Sequence, residues 1–366
     1  LSWHVVQSDI DAGFGSPLQN GLIKNYELSM AGGSDRIRYY LGGNVGDEEG
    51  YVSWNTQTRR GIRGNLDATL SDQLNLSVST NQLSTNTRFP GVPAPYGGLP
   101  GSEAWGHAER TATRGWYTAP PEADKQFDNR ALVDRSTFSV QLTHNPVSWL
   151  QHRLVFGEDI VNEVADVLLE ASPLGTADPF FGGLGTGEKD RTVRRTKNWS
   201  FDYSGTARFT VTPVSSSLVS VTSAGAQYFK NQAGTDHLLG RVFPLPGLSS
   251  LDAAADVQGG GSFLENASLG VYVQEQLEWR DRVFLTAAIR GDDNSAFGTN
   301  FDAAIYPKFS GAWVVSEEDF FNLPVMNSLR VRGAWGKAGR QPDVFAAVSL
   351  YSPVTGPGGS SAVRPG

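Results

Sequence analysis

The sequence predicts an all-β chain: part of an antiparallel transmembrane β-barrel of about a dozen strands, with short periplasmic turns and long extracellular loops. Three observations lead there. Apolar and polar residues alternate, as in Ile37, Tyr39 and Leu41 against Arg36 and Arg38, or Trp199, Phe201 and Tyr203 against Ser200, Asp202 and Ser204. Connections alternate too, tight near 32–35, 71–73, 144–149, 212–218 and 279–282, and long over 45–57, 84–128, 159–190, 231–264 and 291–303. Composition agrees: only 19% of residues are charged, while 42 Gly, 9 Trp and 11% aromatics suit a sheet edged by aromatic girdles.

In order, strands are predicted over 24–32, 35–44, 58–70, 73–84, 130–143, 150–159, 192–210, 218–229, 266–278, 282–290, 304–315 and 327–337. Each shows period-2 alternation, the signature of a sheet with one apolar face. Gly32-Gly33 and Asn145-Pro146 punctuate strand ends, and Arg280-Asp281 forms a two-residue turn. The stretch 316–325 has helix-start character, with Ser316 as cap and Pro324 as stop. The Gly/Pro/Ser-rich segment 353–366 reads as a loop-like tail.

No apolar run reaches the roughly 18 residues of a membrane-spanning helix, which leaves spanning by strands of about 9–11 residues. A mean hydropathy of −0.29 fits such strands joined by polar loops. The absence of Cys rules out disulfides and thiolate metal sites. A net charge of −8 argues against nucleic acid as a partner. Arg38, Arg63, Arg208, Arg330 and Arg332 alternate with apolar residues. An Arg facing lipid near mid-bilayer costs about 2–4 kcal/mol, so these belong on the inner face.

Specific blocks then carry a resemblance. Asn25-Tyr26-Glu27-Leu28-Ser29-Met30-Ala31-Gly32-Gly33 leads into Arg38-Tyr39-Tyr40-Leu41-Gly42-Gly43, and Arg60-Gly61-Ile62-Arg63-Gly64-Asn65 follows. Tyr272-Val273-Gln274-Glu275 precedes Arg282-Val283-Phe284-Leu285-Thr286-Ala287-Ala288-Ile289-Arg290, then Asp292, Ser295, Phe297 and Gly298. Tyr306-Pro307, Ala312-Trp313 and Leu329-Arg330-Val331-Arg332-Gly333 complete the set. In these blocks the chain resembles the SusC/RagA-like TonB-dependent outer-membrane transporters.

The resemblance implies that residues 1–366 form one stretch of a larger barrel domain, with signal peptide, plug and closing strands outside it. It further implies import of oligosaccharides or peptides, a SusD-like surface lipoprotein as lid, the TonB complex as energy source, and outer-membrane lipid around the wall. No cofactor, metal or catalytic group is expected.

Loop 84–128 carries Tyr96, Trp105, Trp116 and Tyr117, and loop 159–190 carries Phe180 and Phe181. These six are candidate ligand contacts, since aromatics on long outer loops can stack on sugars or peptide side chains; a loop packed on itself would use the same residues. The cluster Asp292-Asp293-Asn294-Ser295 offers oxygens but lacks a full Ca²⁺-loop pattern. The run Gly182–Lys189 fails as a phosphate loop because Glu188 separates Gly187 from Lys189. The five His show no metal-ligand spacing, and His152 is placed at the lumen or an interface. Two alternatives stay open: a complete small outer-membrane barrel acting as pore or enzyme, and a soluble carbohydrate-binding β-protein.

Overall fold

The computed structural model describes residues 4–91, 105–117, 120–211, 217–295, 303–322, 325–339, 351–355 and 360–365. A short helix, α1 (Val5–Asp11), precedes β1 (Leu22–Gly33), β2 (Ile37–Glu49), β3 (Thr56–Ser71), β4 (Leu74–Arg88), β5 (Phe127–Val147) and β6 (Leu150–Leu169). Then come β7 (Glu188–Thr210), β8 (Leu218–Arg241), β9 (Asp256–Trp279), β10 (Val283–Asn294), β11 (Ala304–Val314) and β12 (Arg330–Gly336). These twelve strands form one sheet in simple meander order, with β1 and β12 as its free edges.

Residues directly paired across an antiparallel ladder share a face, so the register assigns every side chain. One row runs Arg38–Asp67–Ser77–Gln141–Val155–Asp202–Gln227–Gly270–Asp292. Its neighbour, one residue along each strand, runs Tyr39–Leu66–Val78–Val140–Phe156–Phe201–Tyr228–Leu269. Along these two rows one face is polar and the other apolar. The apolar face is uncovered by protein: Leu28 is 82% and Phe263 65% exposed. An apolar surface of that extent is far beyond what water tolerates and belongs against hydrocarbon. Parity places Arg38, Arg63, Arg208, Arg330 and Arg332 on the polar face. That face is the inner one, and all five sit where their cost in lipid puts them.

The sheet is not closed, as a partial barrel requires. Free strand edges in lipid leave backbone groups unpaired at several kcal/mol each, so β1 and β12 need further strands beside them. Arg280 and Asp281 both have left-handed φ, at 51° and 54°, and the Arg282 amide donates to the Trp279 carbonyl at 3.0 Å. Positive φ at both central residues is what a type I′ hairpin turn demands.

Three expectations need correction. The strands run well past their predicted ends on the long-loop side, so loops 159–190 and 231–264 shrink to 170–187 and 242–255. Alternation stops there because both faces meet water, yet the ladder continues, fastened by Arg241–Glu188 at 2.7 Å and Arg194–Glu163 at 3.3 Å. Among the described residues of 316–325 there is no α-helix, and the segment opens on a 3₁₀ turn, Val315–Glu317, entered from Val314 without a side-chain cap. The tail 353–366 overlaps a small hairpin of β13 (Tyr351–Thr355) and β14 (Ser361–Pro365), paired separately from the main sheet.

Candidate functional site

Two surfaces can touch a solute: the polar inner face and the loops at its wide end. On the inner face, side chains join in ladders across strands. Arg290 holds Asp292 at 2.8 Å and donates through Nη1 to Gln227 Oε1 at 2.5 Å; Gln227 Nε2 passes on to Asp202 Oδ2 at 2.5 Å. Glycines make room for these chains to lie flat. A Cβ on Gly270 would collide with the Arg290 guanidinium and the Asp292 carboxylate, and one on Gly225 would sit 2.7 Å from the Tyr272 ring. Nearer the tight turns, Arg208 grips Glu278 through both guanidinium Nη atoms, at 3.2 and 2.5 Å. Arg135 holds Asp159 bidentately at 2.9 and 3.0 Å, with Thr137 Oγ1 donating at 3.1 Å. Paired charges of this kind give a wall that is hydrophilic yet nearly neutral.

At the wide end the loops build their own small core from Val5, Val6, Val52, Trp54 and Trp116. At its centre Asp9, 2% exposed, accepts from Trp116 Nε1 at 2.9 Å and from Arg114 Nε and Nη2 at 3.1 Å each. Arg114 also reaches Glu122 at 2.8 Å. The hydrogen bonds to Asp9 dominate in raising the Arg114 pKa. Nearby, burial pushes the Asp124 carboxyl up to about 6. Burial first, and the Asp124 charge second, also raise the Tyr51 phenol.

The six aromatic candidates separate on these facts. Trp116 is fully enclosed in the loop core, whereas Trp105 is 66% exposed. Tyr117 is half-buried; its ring lies 4.4 Å from the Arg110 guanidinium, and its carbonyl accepts from Arg110 Nη1 at 2.9 Å. Phe180 is exposed, while Phe181 packs edge-on against Phe127 at 5.5 Å. Asp178 fixes both by accepting their amides at 2.9 and 3.0 Å. Tyr96 lies outside the described residues. Of the five described candidates, Trp105 and Phe180 offer open ring faces, and Trp116 supports its loop.

Other motifs also find places. Asp292 and Asp293 sit on opposite faces of β10, so the acidic run does not converge. The Gly-rich run becomes a 3₁₀ turn, Gly182–Thr186, with Glu188 and Lys189 opening β7. His152 faces outward, not into the lumen, stacked between His144 and Tyr203 with centroids 6.1 Å apart and Nδ1 2.9 Å from the Tyr203 hydroxyl. Sequence reasoning missed Asp9 and Arg114 because nothing local joins residues 105 apart.

Comparison with known proteins gives this geometry its relatives. The family described as TonB dependent receptor-like, beta-barrel matches residues 53–365. TonB-dependent receptor P26 of Formosa agariphila is 22% identical over 338 residues, covering 87% of this chain and 33% of the relative. Receptor P3 of the same bacterium is 24% identical over 341 residues, with the same coverage. The chain thus spans about a third of the length of these curated relatives. Among solved structures, the RagAB peptide transporter superposes with a TM-score of 0.76 at 15% identity, over 94% of this chain and 40% of that one, a likeness of fold. The Escherichia coli outer membrane transporter YddB gives 0.52 at 13% identity, over 86% and 39%. A polar-lined, apolar-jacketed, open-edged meander matched over most of its length by this family belongs to the TonB-dependent receptor β-barrels of the bacterial outer membrane.

Proposed function

We propose that residues 1–366 form a single stretch of the barrel wall of an outer-membrane importer that takes up peptides or oligosaccharides too large for simple pores. The observation that carries this reading is the row Arg38–Asp67–Ser77–Gln141–Val155–Asp202–Gln227, polar at every position but Val155 and backed one residue away by a wholly apolar one. A wall so segregated separates an aqueous path from lipid. Its paired charges leave the path hydrophilic without a strong field of one sign, which suits a polar, uncharged or zwitterionic solute.

Energy would come from the TonB complex, acting on a plug carried elsewhere in the longer protein. A SusD-like surface lipoprotein would cover the long-loop end, where Trp105 and Phe180 are exposed. Fold likeness to a peptide importer favours peptides as the first cargo to test.

The test is uptake by intact cells with the gene present or deleted, using labelled peptides and oligosaccharides of matched size. The reading expects gene-dependent uptake of one class that stops when a protonophore collapses the inner-membrane gradient. Unchanged uptake after deletion, or uptake indifferent to the protonophore, would refute it.

A further inference from the structure

Strand β9 outlasts one of its neighbours. On one side it pairs with β8 over its whole length, from Trp279 to Asp256. On the other, β10 leaves it at Asn294, opposite Ser268. Eleven residues separate Asn294 from Val283 at the tight turn. At about 3.3 Å per residue and about 40° of tilt they climb roughly 28 Å, just past the roughly 25 Å of the apolar band. Above that level residues 256–267 of β9 border no strand on the β10 side among the described residues. The rim of the sheet has a notch there, open to water.

Three hydrogen bonds fix which backbone groups line the notch. The Arg280 amide donates to the Ser217 carbonyl, on the β8 side, at 2.9 Å. The Trp279 carbonyl accepts from Arg282, on the β10 side, at 3.0 Å. The Ala267 amide donates to Ser295 Oγ, also on the β10 side, at 3.0 Å. A strand residue aims its N–H and C=O to the same side, and successive residues alternate. Because the register is unbroken from Trp279 to Asp256, Val257, Gly259, Gly261, Phe263 and Glu265 turn both groups into the notch, while the even-numbered residues between them bond β8.

These donors and acceptors recur about every 6.7 Å along the edge. Sheets blunt such edges with charge, proline or a bulge. Residues 257–264 hold no charged residue and no Pro, and no bulge interrupts them. All of 256–263 is exposed. Gly259, Gly260 and Gly261 leave both faces of the edge bare at its middle, which admits another backbone at close range. Phe263, 65% exposed, and Leu264 set an apolar side chain on either face at one end.

The geometry points to a peptide-binding site: an extended stretch of cargo peptide adds to the notch edge of β9 as a further strand, bonded main chain to main chain. This rests on the importer reading and narrows its cargo to peptides. An extended polypeptide backbone repeats paired donors and acceptors at the period of the edge, and the hydroxyls of an oligosaccharide do not. Bonding through the backbone beside bare glycines makes the site tolerant of sequence. Phe263 and Leu264 favour apolar or β-branched residues at one end of the bound stretch.

The test is hydrogen exchange resolved to single amides in the full-length protein in lipid nanodiscs. The probe is a capped, neutral peptide rich in Thr and Val, about nine residues long to match the span from Val257 to Glu265. Without it, amides at 257, 259, 261, 263 and 265 should exchange fast and those at 258, 260, 262 and 264 slowly. Saturating peptide should slow the odd-numbered set about tenfold and leave the even-numbered set unchanged. The same peptide N-methylated at every central residue, or a neutral oligosaccharide of equal length, should slow neither set. Gly261→Pro removes one edge amide and no bond to β8, and should weaken peptide binding about tenfold. Heat-dependent mobility on gels verifies that the variant is a folded barrel. Odd-numbered amides indifferent to saturating peptide, equal protection by the N-methylated peptide, or Gly261→Pro binding as tightly as wild type would each overturn the site. Gene-dependent oligosaccharide uptake without peptide protection would sink the site and leave the importer reading standing. Protection of the odd-numbered amides without gene-dependent uptake would do the reverse.

Discussion

Adjacent residues of β6, Phe156 and Val155, point to opposite faces, and replacing each in turn by Arg isolates the meaning of that parity. Phe156 pairs with Val140 and Phe201 on the outward row; Val155 pairs with Gln141 and Asp202 on the inward one. Six residues separate Phe156 from Leu150 at the tight turn, which puts it roughly 15 Å up a strand rising about 3.3 Å per residue at about 40° tilt. That is near the middle of the apolar band, where an outward Arg costs about 2–4 kcal/mol. At about 1.4 kcal/mol per decade the folding equilibrium constant should drop roughly 30- to 700-fold. Val155→Arg enters a row already holding the Asp202 carboxylate and should cost less than about 1 kcal/mol. The assay is reversible urea unfolding of the full-length protein into and out of lipid vesicles, followed by tryptophan fluorescence. Equal costs at the two positions, or a larger one at Val155, would refute the assignment of faces.

Three further outcomes follow from the same geometry. Arg208→Ala strands Glu278, which is 8% exposed, and should cost about 1–3 kcal/mol by the same unfolding assay, with Glu278→Gln added in cis recovering part of it. Trp116→Ala empties a fully enclosed site and removes a donor to Asp9; a cost of about 3–5 kcal/mol should melt the loop core alone, read as rapid protease cleavage within 105–124 while the barrel keeps its gel mobility. Asp124 has its pKa raised from 3.8 to about 6, so the folded loop favours the protonated acid. Its stabilisation is complete below pH 3.8 and is lost as pH rises through about 6, so the protection factors of amides around Gly91, which the Asp124 side chain abuts, should fall across that window once the intrinsic base-catalysed rate is divided out, and Asp124→Asn should abolish the fall.

The barrel was legible in the sequence wherever one face meets lipid. Tyr39, Leu66, Val78 and Phe201 alternate with polar neighbours because the solvent differs on the two sides, and period 2 records that difference directly. Above the membrane the difference vanishes. Residues 188–195 and 256–262 pair as regularly as the rest, yet they carry no alternation, so they read as loop. Arg280-Asp281 was recognisable as a turn from its spacing; Asp281 suits left-handed φ, whereas Arg280 is not a usual choice for it. The loop core was legible only as an alternative reading of the loop's aromatics, without its polar centre. Asp9, Arg114 and Trp116 meet only because β1 to β4 return the chain to the same end of the sheet, and no local pattern encodes that meeting. For the candidate aromatics the sequence marked the loops that bear them, but composition alone cannot separate a buried Trp116 from an open Trp105.

The central claim, that this sheet is a wall between lipid and an aqueous lumen, is tested most directly along β7. With no native Cys in residues 1–366, single cysteines at 199 through 204 can each carry a nitroxide in the full-length protein, any cysteine elsewhere being replaced. Collision with lipid-soluble oxygen and with a water-soluble nickel chelate is then measured in vesicles. Labels at Trp199, Phe201 and Tyr203 should favour oxygen, and those at Ser200, Asp202 and Ser204 should not, with period 2 throughout. Uniform exposure to the nickel chelate along all six positions would contradict the membrane wall, and with it the transport reading.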